Sequence, residues 1–426
     1  MVVVLRLLRP VALLLVAALA AVACSSTPKV KTQTETKSTL KLFNDKGAWT
    51  PFFKDLSTLS QQQIGLGLDP VGYTDANTYD ATIKASFRSK NKPDLFTWHT
   101  GGTMQEIVAQ NQVLDTSSIW QDAISKGYLT QDLEQYYTIN GKQYCVPLNI
   151  AYWGMFYNKH VFAKYGLKPP SSWADLLNIA KTLRSHGVAP IYQTSVLFSF
   201  VWFEQMLAGT DPDLYDKLNS GQVAYTDPAV VAVMKQWKDM TDAGYFSDPG
   251  SKVDPSVQLK SGKTAMVSLG TWFNTSMTQQ GQKPGTDYGF FVIPNLNASL
   301  PKTSLVFESG PLCAPAQPAD PASDTKFLRW WVGPDAQAKW ATTRGDVSGN
   351  PKVTIPNTDL NTLTQQAGSG TYRLVNRYFE AAPPAVLTAA LDAFGDFTVH
   401  PDNYLKDLQT IQKANKQYWS THKAGG

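Results

Sequence analysis

Residues 38–98 of the chain alternate short apolar stretches with amphipathic ones. "STLKLFN", "IGLGLDPVGY" and "PDLFTW" have the apolar character and turn-forming ends of strands. "WTPFFKDLSTL" and "ANTYDATIKASFRSKN", which lie between them, have apolar residues at helical spacing. This order predicts an α/β layer, a parallel sheet with helices on both faces. Ligands of such sheets bind where the strands end, so two strand ends, at Asn44 and Trp98, are expected to meet at one rim.

The middle of the chain predicts a second lobe. "NGKQYCVPLNIAYWGMFYNK" is too long for an ordinary strand, so we expect it to cross between lobes, and a mainly helical region follows as far as Phe246. "SGKTAMVSLGTWFNTS" then repeats the plan of "DLFTWHTGG": a buried strand ending in a tryptophan and a turn. Several extended crossings of this kind favour two rigid lobes that close on a ligand by hinge motion.

The N-terminus is different in kind. Arg6 and Arg9 flank the apolar run "VALLLVAALAAVAC", which has the length of a signal peptide, and a polar stretch, 25–38, follows. The segment resembles a bacterial lipoprotein signal, although Ala21 stands where Leu or Val is usual. The resemblance implies a signal peptide over 1–23, lipidation of Cys24, a flexible tether over 24–38 and a location on the outer face of the membrane. Plain secretion with cleavage nearby is the alternative.

Composition excludes some functions. Charged residues make up 17% of the chain and aromatic residues 12%, and the net charge is +4 without a run of Lys or Arg. Nucleic acid is therefore not an expected partner. The five histidines lack metal-ligand spacing, so we expect no metal and no cofactor. Cys145 and Cys313 remain in an exported chain, either as a disulfide or as two separate buried thiols.

Three motifs in order along the chain carry a family resemblance. They are the lipoprotein signal, "GKQYCVPLNIAYWGMFYNKHVFAKYGLKPPSSWADLLNIAKTL" and "SGKTAMVSLGTW". Together they resemble the extracellular solute-binding proteins of carbohydrate ABC transporters, of the maltose-binding type, over about residues 39–420. Two departures are Ser172, where the family often has threonine, and the cysteine pair, which the family does not require.

The resemblance implies a two-lobed periplasmic-binding-protein-like fold of type II, with an interlobe cleft and multiple hinge crossings. The N-terminal lobe would comprise 39–148 and 314–345, and the C-terminal lobe 149–313 and 346–426. "YCVPLN" and "GPLCAPAQ" would be neighbouring crossing strands, which favours a disulfide between Cys145 and Cys313. The expected partners are a mono- or oligosaccharide and ABC permease subunits, and the chain is expected to be a monomer that is not an enzyme.

A neutral sugar needs aromatic platforms for its ring faces and planar polar groups for its hydroxyls. Eleven residues at strand ends, crossings and the loop "RGDVSGN" are our candidates for ligand contact: Asp45, Lys46, Trp98, His99, Thr100, Tyr152, Trp153, Trp202, Trp272, Glu308 and Asp346. Each has an ordinary structural alternative, such as a ring that caps the sheet, a buried helix for Trp202 or a solvated loop. Four other tryptophans at helical spacing are expected to pack in cores: Trp173, Trp330, Trp331 and Trp340.

Two other functional classes are weighed against sugar binding. A glycoside hydrolase needs two carboxyl groups about 5–10 Å apart. Four acidic residues offer such pairs, but no motif marks them: Asp45, Glu204, Glu308 and Asp346. A solute-binding protein for peptides or polyamines needs fixed countercharges, whereas the expected cleft is aromatic and nearly neutral.

Overall fold

The computed structural model describes residues 38–89 and 92–422, so the expected signal peptide, Cys24 and almost all of the tether lie outside the described residues. The strands are β1 Thr39–Asn44, β2 Gly67–Gly72, β3 Leu95–Thr97, β4 Thr138–Ile139, β5 Lys142–Gln143, β6 Val146–Asn158, β7 Ala189–Ile191, β8 Thr264–Gly270, β9 Tyr288–Phe291, β10 Ser304–Cys313 and β11 Arg373–Asn376. None of the described helices is both long and apolar enough to cross a bilayer.

Eighteen α-helices are described over the same ranges: α1 Thr50–Ile64, α2 Ala76–Ser86, α3 Gly102–Ala109, α4 Ser117–Ser125, α5 Gln131–Glu134, α6 Lys159–Lys164, α7 Trp173–Ser185, α8 Val201–Thr210, α9 Pro212–Asn219, α10 Pro228–Asp242, α11 Pro255–Ser261, α12 Phe273–Gln279, α13 Pro321–Trp331, α14 Pro334–Arg344, α15 Thr358–Gly368, α16 Tyr378–Ala381, α17 Pro384–Val399 and α18 Tyr404–Trp419. Short 3₁₀ helices occupy Gly47–Trp49, Gln135–Tyr137 and Pro401–Asn403.

Helix ends follow the local signals in the sequence. α7 begins with a capping box, in which the Ser172 hydroxyl accepts from the Asp175 N–H and the Asp175 carboxylate accepts from the Ser172 N–H. α10 and α11 each begin with an aspartate cap followed by proline, a residue whose missing N–H costs nothing in a first turn. α1 ends at Gly65, which has a left-handed φ of 70°.

One mixed sheet runs through both lobes. Within the described residues the strand order is β2-β1-β3-β10-β6-β8-β7, with β11 beside β10 and β9 beside β6. β1 is parallel to β2 and β3, as the strand–helix order predicts, and β10 is antiparallel to β3 and β6. The 13-residue β6 is the crossing expected over 140–159, because Tyr152 belongs to one hydrophobic core and Trp153 to the other.

Each of the two hydrophobic cores defines one lobe. The first core gathers side chains from β1 to the middle of β6, from both halves of β10 and from α13, α14 and α15. The second gathers side chains from Trp153 to Ile293, from Val306 of β10 and from Val375 to α18. The boundary differs from the one expected at residue 345. Val347, Leu360 and Leu374 all pack in the first core, so the chain stays with the first lobe until β11.

A disulfide joins the two crossings. Cys145 and Cys313 are bonded, with their Cα atoms 4.2 Å apart. Pro147 and Val146 of β6 pair with Pro311 and Leu312 of β10, so the register brings the two cysteines together. This is the pairing that the resemblance implied, and it fixes the two hinge strands to each other on the side of the first lobe.

Candidate ligand-binding site

One edge of the site lies where β1 and β3 end. The Thr97 hydroxyl donates to Asp45 Oδ1 at 2.6 Å and accepts from the Asp45 N–H at 3.0 Å, so the two strand ends meet as expected. Lys46 Nζ lies 2.7 Å from Asp45 Oδ2 and 5.0 Å from the Trp49 ring centroid. Burial alone would raise the pKa of Asp45, but the Lys46 charge and the hydrogen bonds from Lys46 and Thr97 lower it below its usual value.

The turn after β3 approaches the second lobe. His99 Nε2 lies 3.4 Å from Asp80 Oδ1, and both side chains are about one-third exposed. Thr100 is buried, and its hydroxyl has no partner among the described residues. Gly101 has a φ of 71°, and a Cβ placed there would lie 2.7 Å from the carbonyl oxygen of Glu380. Glycine therefore permits close contact between the lobes at this point.

Trp98 does not serve as a platform. Its ring is fully buried in the first core, and its indole N–H donates to the carbonyl oxygen of Thr103 at 3.1 Å. Phe96 packs edge-on against the ring, with centroids 6.2 Å apart. The expectation of sugar stacking by Trp98 is corrected, because a carbonyl at the start of α3 takes the indole N–H and turns the ring inward.

The two hinge strands, β6 and β10, contribute polar groups to the floor of the site. Glu308 lies on β10 opposite Ala151 of β6. Two residues further on, Gly310 lies opposite Asn149, and a Cβ at Gly310 would be 2.8 Å from Asn149 Oδ1 and 3.8 Å from Lys46 Nζ. Asn149 Oδ1 is buried and has no hydrogen-bond partner among the described residues. The Asp45–Lys46 edge and the hinge floor are thus adjacent.

A buried ion cluster stands beside this floor. The Arg377 guanidinium, just after β11, forms ion pairs with Glu308 and Glu380, and all three side chains are only 12–13% exposed. It also lies 5.2 Å from the ring centroids of Trp153 and Phe379. Burial would lower the pKa of Arg377, but the two carboxylates raise it, so the guanidinium stays charged.

Three rings form an aromatic wall on the second lobe, comprising Trp153, Phe198 and Trp272. Trp153 lies edge-on to Phe198 and Trp272, with centroids 5.4 Å and 5.9 Å away, and the other two rings are 5.8 Å apart. The Trp153 indole N–H donates to Glu308 Oε2 at 3.3 Å, which ties the wall to the ion cluster. Trp272 and Phe198 stay partly exposed, whereas Trp153 is 1% exposed.

Two other candidates, Tyr152 and Trp202, are placed outside this wall. Tyr152 is buried in the first core and lines an internal cavity with Ile150 and Phe307, because alternation along β6 sends it to the opposite lobe from Trp153. Trp202 is buried in α8 against Phe246, with centroids 5.3 Å apart. Neither side chain contacts the aromatic wall, and ligand contact by Tyr152 and Trp202 stays a prediction. The four tryptophans expected to pack do so, in or against the two cores: Trp173, Trp330, Trp331 and Trp340.

Asp346 is part of a connection rather than an open ligand group. Its Oδ1 accepts from the Thr271 hydroxyl at 2.7 Å and from the Val347 N–H at 2.8 Å, and its Oδ2 lies 4.0 Å from Arg344. Burial raises the pKa of Asp346 to about 6, although Arg344 and the two hydrogen bonds oppose the rise. Asp346 therefore links the end of β8 to the end of α14, and the expectation of direct ligand contact is corrected.

The structure thus brings four candidates, Lys46, Trp153, Trp272 and Glu308, close to residues that the sequence analysis missed. The missed residues are Asn149, Phe198, Arg377, Phe379 and Glu380. The motif "RYFE" begins at Arg377 and places a basic and an acidic residue three positions apart around two aromatic residues. It is the signal in the sequence that marks Arg377, Phe379 and Glu380. Phe198 lies in "SVLFSF", where nothing distinguishes a wall residue from a core residue.

Comparison with known proteins decides the family. Residues 58–362 match the family model of bacterial extracellular solute-binding proteins, which is more than half of the chain. The chain belongs to this family. An uncharacterized ABC transporter extracellular-binding protein of Pyrococcus horikoshii is 26% identical over 67% of this chain and 64% of its own length. The sn-glycerol-3-phosphate-binding periplasmic protein of Rhizobium meliloti is 24% identical over 54% of this chain and 56% of its own length. The chain therefore spans less than two-thirds of these relatives.

Solved structures of this family share the fold. The solute receptor AcbH, described as preferring β-D-galactopyranose, superposes with a TM-score of 0.73 at 20% identity over 91% of this chain and 98% of its own. A chitin oligosaccharide binding protein superposes with 0.73 at 18% identity over 89% and 98%. A probable secreted solute-binding lipoprotein from Streptomyces coelicolor gives 0.74 at 14% identity over 90% and 99%. At these identities the similarity confirms the two-lobed α/β fold.

Proposed function

We propose that this solute-binding protein captures a neutral mono- or oligosaccharide between its lobes and delivers it to the permease of an ABC importer. The aromatic wall beside the Arg377 ion cluster is the observation that carries the proposal. Sugar rings stack on aromatic faces through their C–H groups, while carboxylate and guanidinium groups bind hydroxyls from the side. The wall and the cluster provide both at one place, joined by the hydrogen bond from Trp153 to Glu308.

The charges favour a neutral ligand over a phosphate ester. Each cation near the site faces a carboxylate: Lys46 faces Asp45, Arg377 faces Glu308 and Glu380, and Arg344 faces Asp346. A phosphate group would add negative charge to cations that are already neutralised. The sn-glycerol 3-phosphate named for the Rhizobium relative is therefore the contrasting ligand in the test.

A hydrolytic role has less support. Glycoside hydrolysis requires one carboxyl group kept protonated as an acid and another that acts separately. Glu308 and Glu380 instead both pair with the Arg377 guanidinium, so neither carboxyl group is free to act separately. We infer a binding protein without catalytic activity, held at the outer face of the membrane through Cys24 and working as a monomer.

Calorimetric titration tests the ligand class. D-galactose, D-tagatose, a chitin disaccharide and sn-glycerol 3-phosphate are each added to the purified protein. We expect at least one neutral sugar to bind and the phosphate ester not to bind. Trp272→Ala should weaken that binding by about tenfold or more, since a ring contact contributes roughly 0.5–1.5 kcal/mol beyond its buried area. Trp330→Ala is the matched control, because Trp330 is also half-buried but lies in the first lobe, donating to Gln63.

Two results would contradict the proposal. Binding of the phosphate ester alone would assign the protein to anionic ligands. Release of reducing sugar from a chitin or galactose oligosaccharide would make it a hydrolase. The binding assay uses the four ligands, and the hydrolysis assay adds the oligosaccharide, with reducing ends measured after prolonged incubation.

A further inference from the structure

A narrow pocket lies behind the aromatic wall, within the second lobe. We call it the inner pocket and define it by Gln193, Phe198, Trp202, Trp237 and Ser268, which all line it. The volume open to the centre of a water molecule is only about 10 Å³, enough for a single water-sized group. Phe198 belongs to both places, because its ring also contacts Trp153 and Trp272 in the wall. The Phe198 side chain is therefore the partition between the cleft and the inner pocket.

Four polar atoms at the inner pocket have no hydrogen-bond partner among the described residues: Gln193 Oε1, Trp202 Nε1, Trp237 Nε1 and Ser268 Oγ. Their residues are between 0% and 6% exposed. An unsatisfied buried donor or acceptor destabilises the fold. Four such atoms around one pocket, in a fold whose other polar groups are mostly paired, indicate that something with oxygen atoms fills it.

The chemistry of these four atoms defines the occupant. The two indole N–H groups must donate, the Gln193 oxygen must accept, and the Ser268 hydroxyl does either. A hydroxyl group or a water molecule accepts and donates at once, so it satisfies both kinds of partner. The described lining residues carry no charge, which disfavours an anion or an ammonium group. The matching group is therefore a neutral hydroxyl.

A strained backbone turn comes directly before Phe198, the residue that separates the cleft from the inner pocket. Leu197 has a φ of 45°, which residues with a side chain rarely adopt, and the Phe198 N–H donates to the Val196 carbonyl at 2.5 Å, closing a three-residue turn. Val196 and Leu197 are 63% and 57% exposed. Backbone strain of this kind is concentrated at ligand clamps and moving segments. The strained and exposed turn is therefore the segment through which we expect the Phe198 side chain to move.

We propose that the inner pocket is a subsite that receives one hydroxyl-bearing arm of the bound sugar, admitted when Phe198 moves aside. Water occupies it before binding, and the sugar hydroxyl replaces that water on the two indole N–H groups, Gln193 and Ser268. The proposal rests on the proposed sugar-binding function. It differs from stacking on the wall, because it assigns polar recognition to residues that do not face the cleft.

Indole NMR tests the subsite directly. The protein is labelled with ¹⁵N-tryptophan and titrated with D-galactose, D-tagatose and a chitin disaccharide, and its indole signals are assigned by single Trp→Phe variants. We expect the Trp202 and Trp237 indole signals to shift together with those of Trp153 and Trp272. Shifts of Trp153 and Trp272 alone would overturn the subsite and leave water as its only occupant. An absence of any shift would overturn the sugar-binding function and the subsite with it.

Affinity separates occupancy of the pocket from a general effect of lobe closure. Trp202→Phe removes one donor and should weaken the tightest of the three probes about tenfold, the effect of one hydrogen bond of roughly 1.4 kcal/mol. The matched control is Trp419→Phe, because Trp419 Nε1 is also buried without a partner among the described residues but contacts Gly221, away from the pocket. Equal affinities in the two variants would overturn the proposal. Ser268→Ala repeats the test if Trp202→Phe does not fold.

Discussion

Gly101 of the first lobe and Glu380 of the second touch through their backbones, since a Cβ on Gly101 would lie 2.7 Å from the Glu380 carbonyl oxygen. The side-chain carboxylate of Glu380 is ion-paired with Arg377, beside the aromatic wall. Contact between the lobes and the geometry of the site are therefore linked at a single residue. A change that separates the backbones should open the site without touching any ligand-binding side chain.

Gly101→Ala should weaken sugar binding about tenfold or more. The added Cβ would be closer to a backbone oxygen than real contacts allow, and φ 71° with ψ −147° is a region open almost only to glycine. The lobes must therefore shift apart, and a ligand that favours the closed form then binds less tightly. Titration calorimetry with the sugar that binds the wild type measures the change.

The control for this variant is Gly141→Ala. Gly141 also has a positive φ, 76°, but a Cβ there would meet nothing within 4 Å. It should lower the melting temperature through backbone strain, of about 1–2 kcal/mol, while leaving sugar affinity unchanged. Equal affinity losses in the two variants would show that the contact between Gly101 and Glu380 has no part in binding.

The ion cluster yields a stability prediction. Arg377→Leu leaves Glu308 and Glu380 buried without their cation, which should cost about 3–5 kcal/mol of the free energy of unfolding. Adding Glu308→Gln and Glu380→Gln should restore much of that loss, because the uncompensated charges are gone. Chemical denaturation of the single and triple variants measures both effects.

Arg373 provides the comparison for Arg377 within the same segment. Its guanidinium pairs with Asp216 at 2.9 Å, but the side chains are 33% and 46% exposed. Arg373→Leu should change stability by no more than about 1 kcal/mol, as is usual for exposed ion pairs. A loss as large as that of Arg377→Leu would mean that burial does not explain the cost.

The disulfide is a third point to test. In a Cys24→Ser background, thiol titration of the denatured protein should find no free thiol before reduction and two after it. Cys145→Ala with Cys313→Ala should lower the free energy of unfolding by about 2–5 kcal/mol, because the bond closes a loop of 168 residues. Two free thiols before reduction would show that the hinge strands are not bonded in the exported protein.

Two tryptophans show how far the sequence carries the site. Trp98 and Trp272 both follow a buried strand, and both are expected to face the ligand from their strand-end position together with the family resemblance. The Thr103 carbonyl draws the Trp98 indole into the first core, whereas Gly270, lacking a side chain, leaves room for the Trp272 ring over its own strand. Strand ends are predictable from hydrophobic pattern, but the direction of a ring depends on neighbours that only the folded chain supplies.

The ion cluster shows the other limit. The crossing over β6, its pairing with β10 and the position of Glu308 follow from extended segments and the family resemblance. Arg377 lies 69 residues beyond Glu308 after a four-residue strand, too short for the sequence pattern to mark. Long-range pairing of this kind carries no periodicity, so it is found only when the structure places the two strands side by side.

Asp346 should make stability depend on pH in a direction opposite to that of an ordinary paired carboxylate. Burial raises its pKa to about 6 in the folded protein, against 3.8 for an unperturbed aspartate. Between these values the folded state binds more protons than the unfolded state, so stability is highest at low pH and falls as the pH rises through about 6. Asp346→Asn keeps the oxygen that accepts from Thr271 and Val347 but cannot ionise. The melting temperature of the variant, relative to that of the wild type, should therefore increase from pH 4 to pH 7. Scanning fluorimetry at each pH measures this difference.

Thr271→Val tests the cause of this dependence. The Thr271 hydroxyl donates to Asp346 Oδ1 and lowers the pKa of the carboxyl, so removing it should raise that pKa further. The loss of stability should still begin near the unfolded pKa of 3.8 but continue to a higher pH in the valine variant than in the wild type, while the Asn variant shows no such transition. The contradicting outcome is a wild-type stability that rises, relative to Asp346→Asn, from pH 4 to pH 7. It would mean that the attraction of Arg344 for the carboxylate exceeds the effect of burial. The loop after α14 would then be held by an ion pair rather than by hydrogen bonds.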